Sequence, residues 1–230
     1  MNESAKKFTA EFIGVFFLVF IGTGAIAVDS SGQAGIGLLG VAFAFGLTLA
    51  IMVGVTAGVS GGHLNPAVTL GMFLTGNIDG KGAGTYIAAQ LLGASAASLL
   101  LRNLVWTIPP SAASMGVTLP SAGIGIGSLI GLEVIMTFML VFVVFAVAVD
   151  PDSPFKNMGN LLIGLTVTVC ALFGGSLTGA SLNPARSFGP ALISGEWTLH
   201  WAYWLAPLAG GALAALLYTK IFLNGNKSNK

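Results

Sequence analysis

Charged side chains are the scarcest feature of this 230-residue sequence, at only 7% of the total. A soluble domain of ordinary composition carries about 25% charged residues, so this chain cannot cover a water-exposed surface. It is 55% hydrophobic, with a mean hydropathy of +0.90, which predicts an integral membrane protein surrounded by a lipid bilayer. A formal net charge of +1 offers no basic face for a nucleic-acid partner.

Cysteine and histidine are almost absent as well. Cys170 is the single cysteine, so the chain forms no internal disulfide and cannot build a thiolate metal site. The two histidines stand in no cluster with carboxylates at metal-ligand spacing, and no nucleophile stands beside a base. The sequence therefore predicts no metal, no cofactor and no enzyme activity.

Long apolar runs are what the chain has in abundance. A bilayer core about 30 Å thick needs roughly 20 apolar residues per helix, and six stretches meet this need: 8–28, 35–57, 84–105, 124–149, 158–176 and 200–222. Two further apolar segments, 65–75 and 183–194, are about half as long, and each opens with an Asn-Pro pair. The predicted fold class is an all-α membrane protein with six transmembrane helices and two re-entrant half-helices.

The two halves of the chain repeat each other. Glu11 and Glu133 stand early in matching apolar runs, and the motif at 64–67 (Leu-Asn-Pro-Ala) recurs at 182–185. Each copy holds three spans, and because three is odd the copies must have opposite topology. We therefore predict a single membrane domain over residues 1–230, built from inverted repeats of about 5–110 and 122–222.

Charge placement predicts the orientation. If both termini are cytoplasmic, one side of the membrane holds Lys6, Lys7, Lys81, Lys156, Lys220, Lys227 and Lys230. The opposite side keeps only Arg102 and Arg186. Lys and Arg concentrate on the cytoplasmic side of membrane proteins. We therefore expect a multi-pass protein of the plasma membrane with both termini in the cytoplasm.

The paired triplets Asn65-Pro66-Ala67 and Asn183-Pro184-Ala185 carry the functional prediction. Asn is a favoured helix N-cap and Pro a favoured first helical residue, so a single triplet would indicate only a helix start. Two copies in an inverted repeat bring two helix N-termini together at the midplane. Each terminus carries a partial positive charge, and each capping Asn has amide hydrogens left to donate. Such a site holds a water oxygen, repels cations and interrupts proton hopping.

Irregular backbone precedes each triplet and predicts a row of free carbonyl groups. Non-helical backbone at membrane depth is tolerated only where it lines a cavity, so these carbonyls would form a stripe of acceptors for water: Gly61, Gly62, His63, Gly179, Ala180 and Ser181. We expect Glu11 and Glu133 to support these loops by accepting backbone N–H groups. Arg186, an intramembrane arginine three residues after Asn183, predicts a cationic wall at an outer constriction.

The segments Ser60–Thr69 and Gly179–Ser187 resemble the paired signatures of the major intrinsic proteins, that is, aquaporins and glycerol facilitators. The resemblance covers residues 5–222 and implies an hourglass-shaped pore in each subunit of a homotetramer. In the second half, Gly116–Pro120 is also similar to plant nodulin-like intrinsic proteins.

The resemblance also implies a selectivity filter formed by Phe45, Ala171, Ala180 and Arg186. An alignment shifted by two residues would instead place Phe173 where Ala171 stands. Water-specific relatives place histidine at that position, so alanine implies a wider and more apolar opening.

Other positions are similar to the water-selective branch of the family, namely Ser187, Ala191, Tyr203 and Trp204. The expected function is therefore a passive channel for water and small neutral solutes such as glycerol. The alternative is a facilitator of glycerol, urea or metalloid acids that conducts water as a minor permeant. A secondary transporter is a remote alternative, because no acidic residue stands near either Asn-Pro-Ala triplet.

Overall fold

A computed structural model describes residues 1–32, 35–104 and 115–223, and these residues form helices and loops without a strand. The helices are α1 (Glu3–Ser30), α2 (Gly37–Ser60), α3 (Pro66–Leu74), α4 (Gly80–Leu104), α5 (Ile126–Val144), α6 (Gly159–Thr178), α7 (Pro184–Ser194) and α8 (Ala202–Tyr218). A 3₁₀ turn, Lys156–Met158, precedes α6. Turns of π-helix extend α5 over Phe145–Val149 and α8 over Thr219–Leu223.

Six of these helices are long and apolar enough to cross a membrane, which confirms the predicted fold class. Their outward faces carry large apolar side chains such as Ile51 and Ile135, with 60% and 66% of their surface exposed. α1 begins at Glu3, earlier than predicted, because the Asn2 side chain accepts a hydrogen bond from Ala5 N and caps the helix there.

The two short helices, α3 and α7, have 9 and 11 residues. At 1.5 Å per residue they are about 14 and 17 Å long, roughly half of a bilayer core. The predicted first repeat would comprise α1–α4 and the predicted second repeat α5–α8, with one short helix in each. The predicted end of the first repeat, near residue 110, lies outside the described residues.

Small residues allow the long helices to pack in backbone contact, in the corresponding pairs α1–α4 and α5–α8 and between α2 and α6. A Cβ atom added to Gly46 of α2 would lie 2.6 Å from the carbonyl oxygen of Gly164 on α6. One added to Gly93 of α4 would lie 3.2 Å from the carbonyl carbon of Phe12 on α1. Such contacts stabilise helix pairs in lipid, where apolar burial alone provides no driving force.

Candidate pore

A cavity of about 940 Å³ runs through the helix bundle. Its lining extends from Asp29, at the end of α1, to Lys156, just before α6. Three spans, α2, α4 and α5, separate these residues along the chain, so they lie on opposite sides of the bundle. Asn65 and Asn183 line the cavity between them. The cavity therefore passes both Asn-Pro-Ala triplets on its way across the bundle.

Both triplets start their half-helices as the sequence predicts. Asn65 Oδ1 accepts from Ala67 N at 2.8 Å, and Asn183 Oδ1 accepts from Ala185 N at 3.0 Å. Proline follows each asparagine at the first helical position, where no N–H is needed. The amide oxygens are thus used within the helices, and the NH₂ groups face away from them.

Each asparagine also binds the opposite repeat, which the sequence did not indicate. Asn65 Nδ2 donates to the carbonyl oxygen of Leu182, and Asn183 Nδ2 donates to that of Leu64, both at 2.8 Å. An amide NH₂ has two hydrogens, so one remains on each asparagine for a molecule in the cavity. The reciprocal bonds fix the distance and orientation of the two donors.

The loops before the asparagines are strained. Leu64 and Leu182 have φ angles of 50° and 53°, and Ala180 has 41°. Residues other than glycine in this region cost on the order of 1–3 kcal/mol each and persist only where surrounding contacts hold them. The side chains of Leu64 and Leu182 are fully buried, and their carbonyls take the asparagine bonds described above.

Glu11 supplies the contacts that hold the first loop. Its carboxylate accepts from Ser60 Oγ at 2.6 Å, His63 N at 3.0 Å, Leu64 N at 2.7 Å and Gln90 Nε2 at 2.8 Å. The side chain is completely buried and does not line the cavity. All four donors offset the cost of burying this carboxylate.

Glu133 holds the second loop in the same way with fewer donors. It accepts from Thr178 Oγ1 at 2.6 Å, Ser181 N at 2.9 Å and Leu182 N at 3.0 Å. It too is completely buried and outside the cavity lining. Both carboxylates therefore contact the loops and leave the cavity itself without a fixed anion at its centre.

The predicted carbonyl stripe borders the cavity. Its six residues all belong to the lining: Gly61, Gly62, His63, Gly179, Ala180 and Ser181. Their carbonyl oxygens accept no hydrogen bond from any other residue in the described ranges. These oxygens are therefore available as acceptors on both sides of the asparagine pair.

Arg186 lies against the cavity wall beyond Asn183, and only 4% of its surface is exposed. Its Nη1 donates to the carbonyl oxygen of Gly116 at 2.6 Å. Its guanidinium carbon lies 4.6 Å from the ring centroid of Phe45, a cation–π arrangement. The arginine is thus held from two sides while it lines the cavity.

The remaining predicted filter residues, Phe45, Ala171 and Ala180, also line the cavity. The alternative alignment would need Phe173 there, but Phe173 is 60% exposed on the outer face of α6 and is not part of the lining. The four predicted filter positions thus contribute one aromatic ring, one guanidinium and two methyl groups to the cavity lining.

Two residues in the segment before α5 contact α7 beside the cavity, and sequence reasoning missed these contacts. Gly116 binds Arg186, and Thr118 Oγ1 donates to Ser187 Oγ at 2.8 Å. Ser187 Oγ lies 2.6 Å from Ser181 Oγ, next to the stripe. Loop residues have no periodicity that marks them, so the only signal was a polar threonine in a Gly- and Pro-containing segment.

In the first repeat, Gln90 was missed although an amide within an apolar span is an identifiable signal. It donates to Glu11 and, at 3.1 Å, to Thr69 Oγ1. Tyr86 and Tyr203 were missed as loop anchors. Their hydroxyls donate to the carbonyl oxygens of the residues that end α2 and α6, Ser60 at 2.7 Å and Thr178 at 2.6 Å.

Six spans, two opposed half-helices and a cavity lined by both define a membrane channel. The family profile described as "Major intrinsic protein" matches residues 1–218, so the chain belongs to the major intrinsic protein family. This is a family of membrane channels and not of enzymes.

Curated relatives and solved structures agree with this membership. The chain is 46% identical to aquaporin TIP4-4 of Zea mays over 221 residues, which cover 93% of this chain and 85% of the relative. It is 43% identical to aquaporin TIP1-2 of Zea mays, with 96% and 87% covered. The fold is similar to that of the aquaglyceroporin from Plasmodium falciparum, with a TM-score of 0.87, 27% identity and coverage of 96% and 98%.

Proposed function

We propose that the chain is a passive channel for water that also admits small uncharged solutes such as glycerol. The observation that carries this proposal is the cavity that crosses the bundle past two fixed asparagine donors. No step in such a channel requires a cofactor, a metal or a moving element. Solute flux is then driven only by the concentration gradient.

The electrostatics of the centre favour water over ions. The N-termini of α3 and α7 each place a partial positive charge at the asparagines, and Arg186 adds a full charge farther out. A water oxygen that accepts from the two remaining amide hydrogens points its own hydrogens away along the carbonyl stripe. A cation finds no anion to replace its hydration shell, and a chain of waters cannot relay a proton through this orientation.

The filter supports the wider solute range. The predicted filter positions combine the methyl groups of Ala171 and Ala180 with the Phe45–Arg186 pair, so the lining offers both apolar surface and hydrogen-bond donors. Glycerol has a carbon face and a hydroxyl face that suit these two kinds of surface. The similarity to an aquaglyceroporin structure supports this wider solute range. The alternative is a facilitator of glycerol, urea or metalloid acids in which water is the minor permeant.

Proteoliposomes that contain wild type or Ala171→His test the filter. An imidazole in place of the methyl group narrows the opening, so glycerol flux falls about tenfold or more while most osmotic water flux remains. Phe173→Leu is the matched control on the same helix and leaves both fluxes unchanged. A wild type that conducts water but no glycerol, urea or metalloid acid contradicts the wide filter.

The assembly we propose is a homotetramer with one pore in each subunit. The family resemblance supports it, together with the many large apolar side chains on the outward faces of the spans. Native mass spectrometry in mild detergent should show four copies, and a monomer alone would contradict the proposal.

The location we propose is the plasma membrane, with the vacuolar membrane as the alternative suggested by the TIP-type relatives. The order of the helices supports the predicted orientation, because five described lysines stand at helix ends that would share one side: Lys6, Lys7, Lys81, Lys156 and Lys220. Arg102 and Arg186 lie toward the other side, which supports cytoplasmic termini. Lys227 and Lys230 lie outside the described residues. Membrane fractionation identifies the membrane, and protease access to a terminal tag on sealed vesicles identifies the side.

A further inference from the structure

We propose that Gly22 of α1 is a specificity-determining residue, because its missing side chain allows the Phe45 ring to stand back from the pore. This inference rests on the proposed function, since it explains how the filter remains wide enough for a solute such as glycerol. It extends the filter to a residue that neither lines the cavity nor belongs to either Asn-Pro-Ala motif.

The ring of Phe45 occupies the space in which a side chain at position 22 would lie. A Cβ atom added to Gly22 would be 2.6 Å from Phe45 Cζ and closer still to Cε1 and Cδ1. Carbon atoms in contact normally lie about 3.5–4.0 Å apart. Any residue other than glycine must therefore displace one whole edge of the ring by about 1 Å.

The ring has little freedom to move backwards with its helix. The backbone of α2 beside Phe45 is in contact with α6, since a Cβ on Gly46 would lie 2.6 Å from the carbonyl oxygen of Gly164. A Cβ on Gly164 would in turn lie 2.6 Å from the Cβ of Ala50. Because α1 is on one side and α6 on the other, a displaced ring turns toward the cavity that it lines.

The next residue of α1 supports the other partner of Arg186. A Cβ atom on Gly116 would lie 2.8 Å from Thr23 Cγ2, and Gly116 has a φ angle of +69°. Only glycine adopts this conformation in this space without strain. Gly22 and Thr23 are consecutive residues of α1. Gly22 lies behind the Phe45 ring and Thr23 lies behind Gly116. Both the ring and the Gly116 carbonyl contact Arg186. This part of α1 therefore supports the filter from the side that faces away from the cavity.

The test compares Gly22→Ala with Gly24→Ala in proteoliposomes. Gly24 lies on the same helix, and its added Cβ would meet only Leu101 Cδ1, at an ordinary 3.6 Å. Gly22→Ala should lower glycerol permeability about tenfold or more, the range expected when a hydrophobic site changes by one methyl group. Its water permeability per reconstituted channel should fall less than threefold, and Gly24→Ala should change neither.

A compensating variant shows whether the effect passes through the ring. In Gly22→Ala/Phe45→Val the side chain at position 45 has no δ, ε or ζ carbon to meet the new methyl group, so glycerol permeability should return to within about threefold of that of Phe45→Val alone. A merely destabilised protein would lose water and glycerol permeability in equal proportion, because fewer channels would be folded. If Gly22→Ala alone does not fold, recovery of a folded, glycerol-conducting channel in the double variant supports the proposal.

Three results would overturn it. These are an unchanged glycerol-to-water ratio in Gly22→Ala, an equal effect of Gly24→Ala, and a double variant no better than Gly22→Ala. Failure of the proposed function looks different, because wild type would then conduct water and no glycerol. In that case the role of Gly22 is tested by water permeability alone. Gly22→Ala should still lower the water permeability per channel, and Gly24→Ala should not.

Discussion

The two predicted repeats each place an Asn-Pro-Ala motif beside the cavity but support it differently. In the first, Glu11 receives four hydrogen bonds, one of them from Gln90 of α4. In the second, Glu133 receives three. The additional support of the second loop comes from Thr118, in the segment before α5, through Ser187 and Ser181.

The tyrosine anchors show why the repeats differ. Tyr86 and Tyr203 make equivalent bonds to the ends of α2 and α6, and four residues after each stand Gln90 and Pro207. Proline has no side-chain donor, so the second repeat cannot build the α4-type contact. The first loop is therefore held by helices, whereas the loop beside Arg186 is held by helices and, in addition, by the segment before α5. Selectivity can change with that segment while the helical frame stays the same.

Removal of the buried carboxylates should have the largest effect. Glu11→Ala leaves four donors without their acceptor and Glu133→Ala leaves three, and each unsatisfied buried donor costs about 1–3 kcal/mol. Both variants should lose most of the folded protein, and Glu11→Ala should be the less stable of the two. Thermal unfolding in detergent measures this, with exposed Glu3→Ala on the same helix as the control. A Glu133→Ala variant at least as unstable as Glu11→Ala would contradict the difference in support.

Arg186→Val should have the next largest effect, on selectivity rather than stability. Val68 stands three residues after Asn65, where the second repeat has Arg186, so this variant makes the two halves alike. Loss of the buried charge lowers the barrier to cations and protons, so proton entry should rise about tenfold or more while water flux stays within about threefold. A pH-sensitive dye inside the vesicles measures the leak. An unchanged leak would show that the two half-helices exclude protons without the arginine.

The smallest effects should come from Gln90 and Thr118, each of which supports only one of the two loops. Gln90→Leu and Thr118→Val each lose hydrogen bonds worth about 1 kcal/mol in net stability. Only Thr118→Val should also change the glycerol-to-water permeability ratio, because Thr118 belongs to the segment that holds Arg186. Thr85→Val, half-buried on α4 and in contact with neither loop, is the control. A change in the ratio with Gln90→Leu and none with Thr118→Val would reverse the assignment.

The membrane-spanning helices and the two half-helices can be predicted from the sequence, because long apolar runs are easily recognised. Six apolar runs, two half-length segments and polar residues such as Glu11 within an apolar span can all be recognised without a structure. The bonds from Asn65 and Asn183 to the opposite repeat could not be predicted, because they join residues 117 and 119 positions apart. Gly22 is one of 33 glycines, and only the position of the Phe45 ring distinguishes it from the rest.

The predicted selectivity filter includes a position that sequence patterns alone cannot assign. Alanine is common in such helices, so the sequence leaves Ala171 and Phe173 as alternatives two residues apart. Exposure distinguishes them, since Phe173 faces outward while Ala171 is 8% exposed and lines the cavity. Gly116 and Thr118 lie in a loop, where neither hydropathy nor periodicity indicates that they will contact Arg186 and Ser187.

The most direct test of a passive, proton-excluding water channel is an osmotic jump on proteoliposomes of the purified protein, with a pH-sensitive dye inside. Shrinkage should be several times faster than in protein-free liposomes and should respond weakly to temperature, because water crosses without leaving a solvated path. The dye should report no faster proton entry than in the protein-free control under an imposed pH gradient. Shrinkage no faster than that of empty liposomes, or rapid acidification of the interior, would contradict the account.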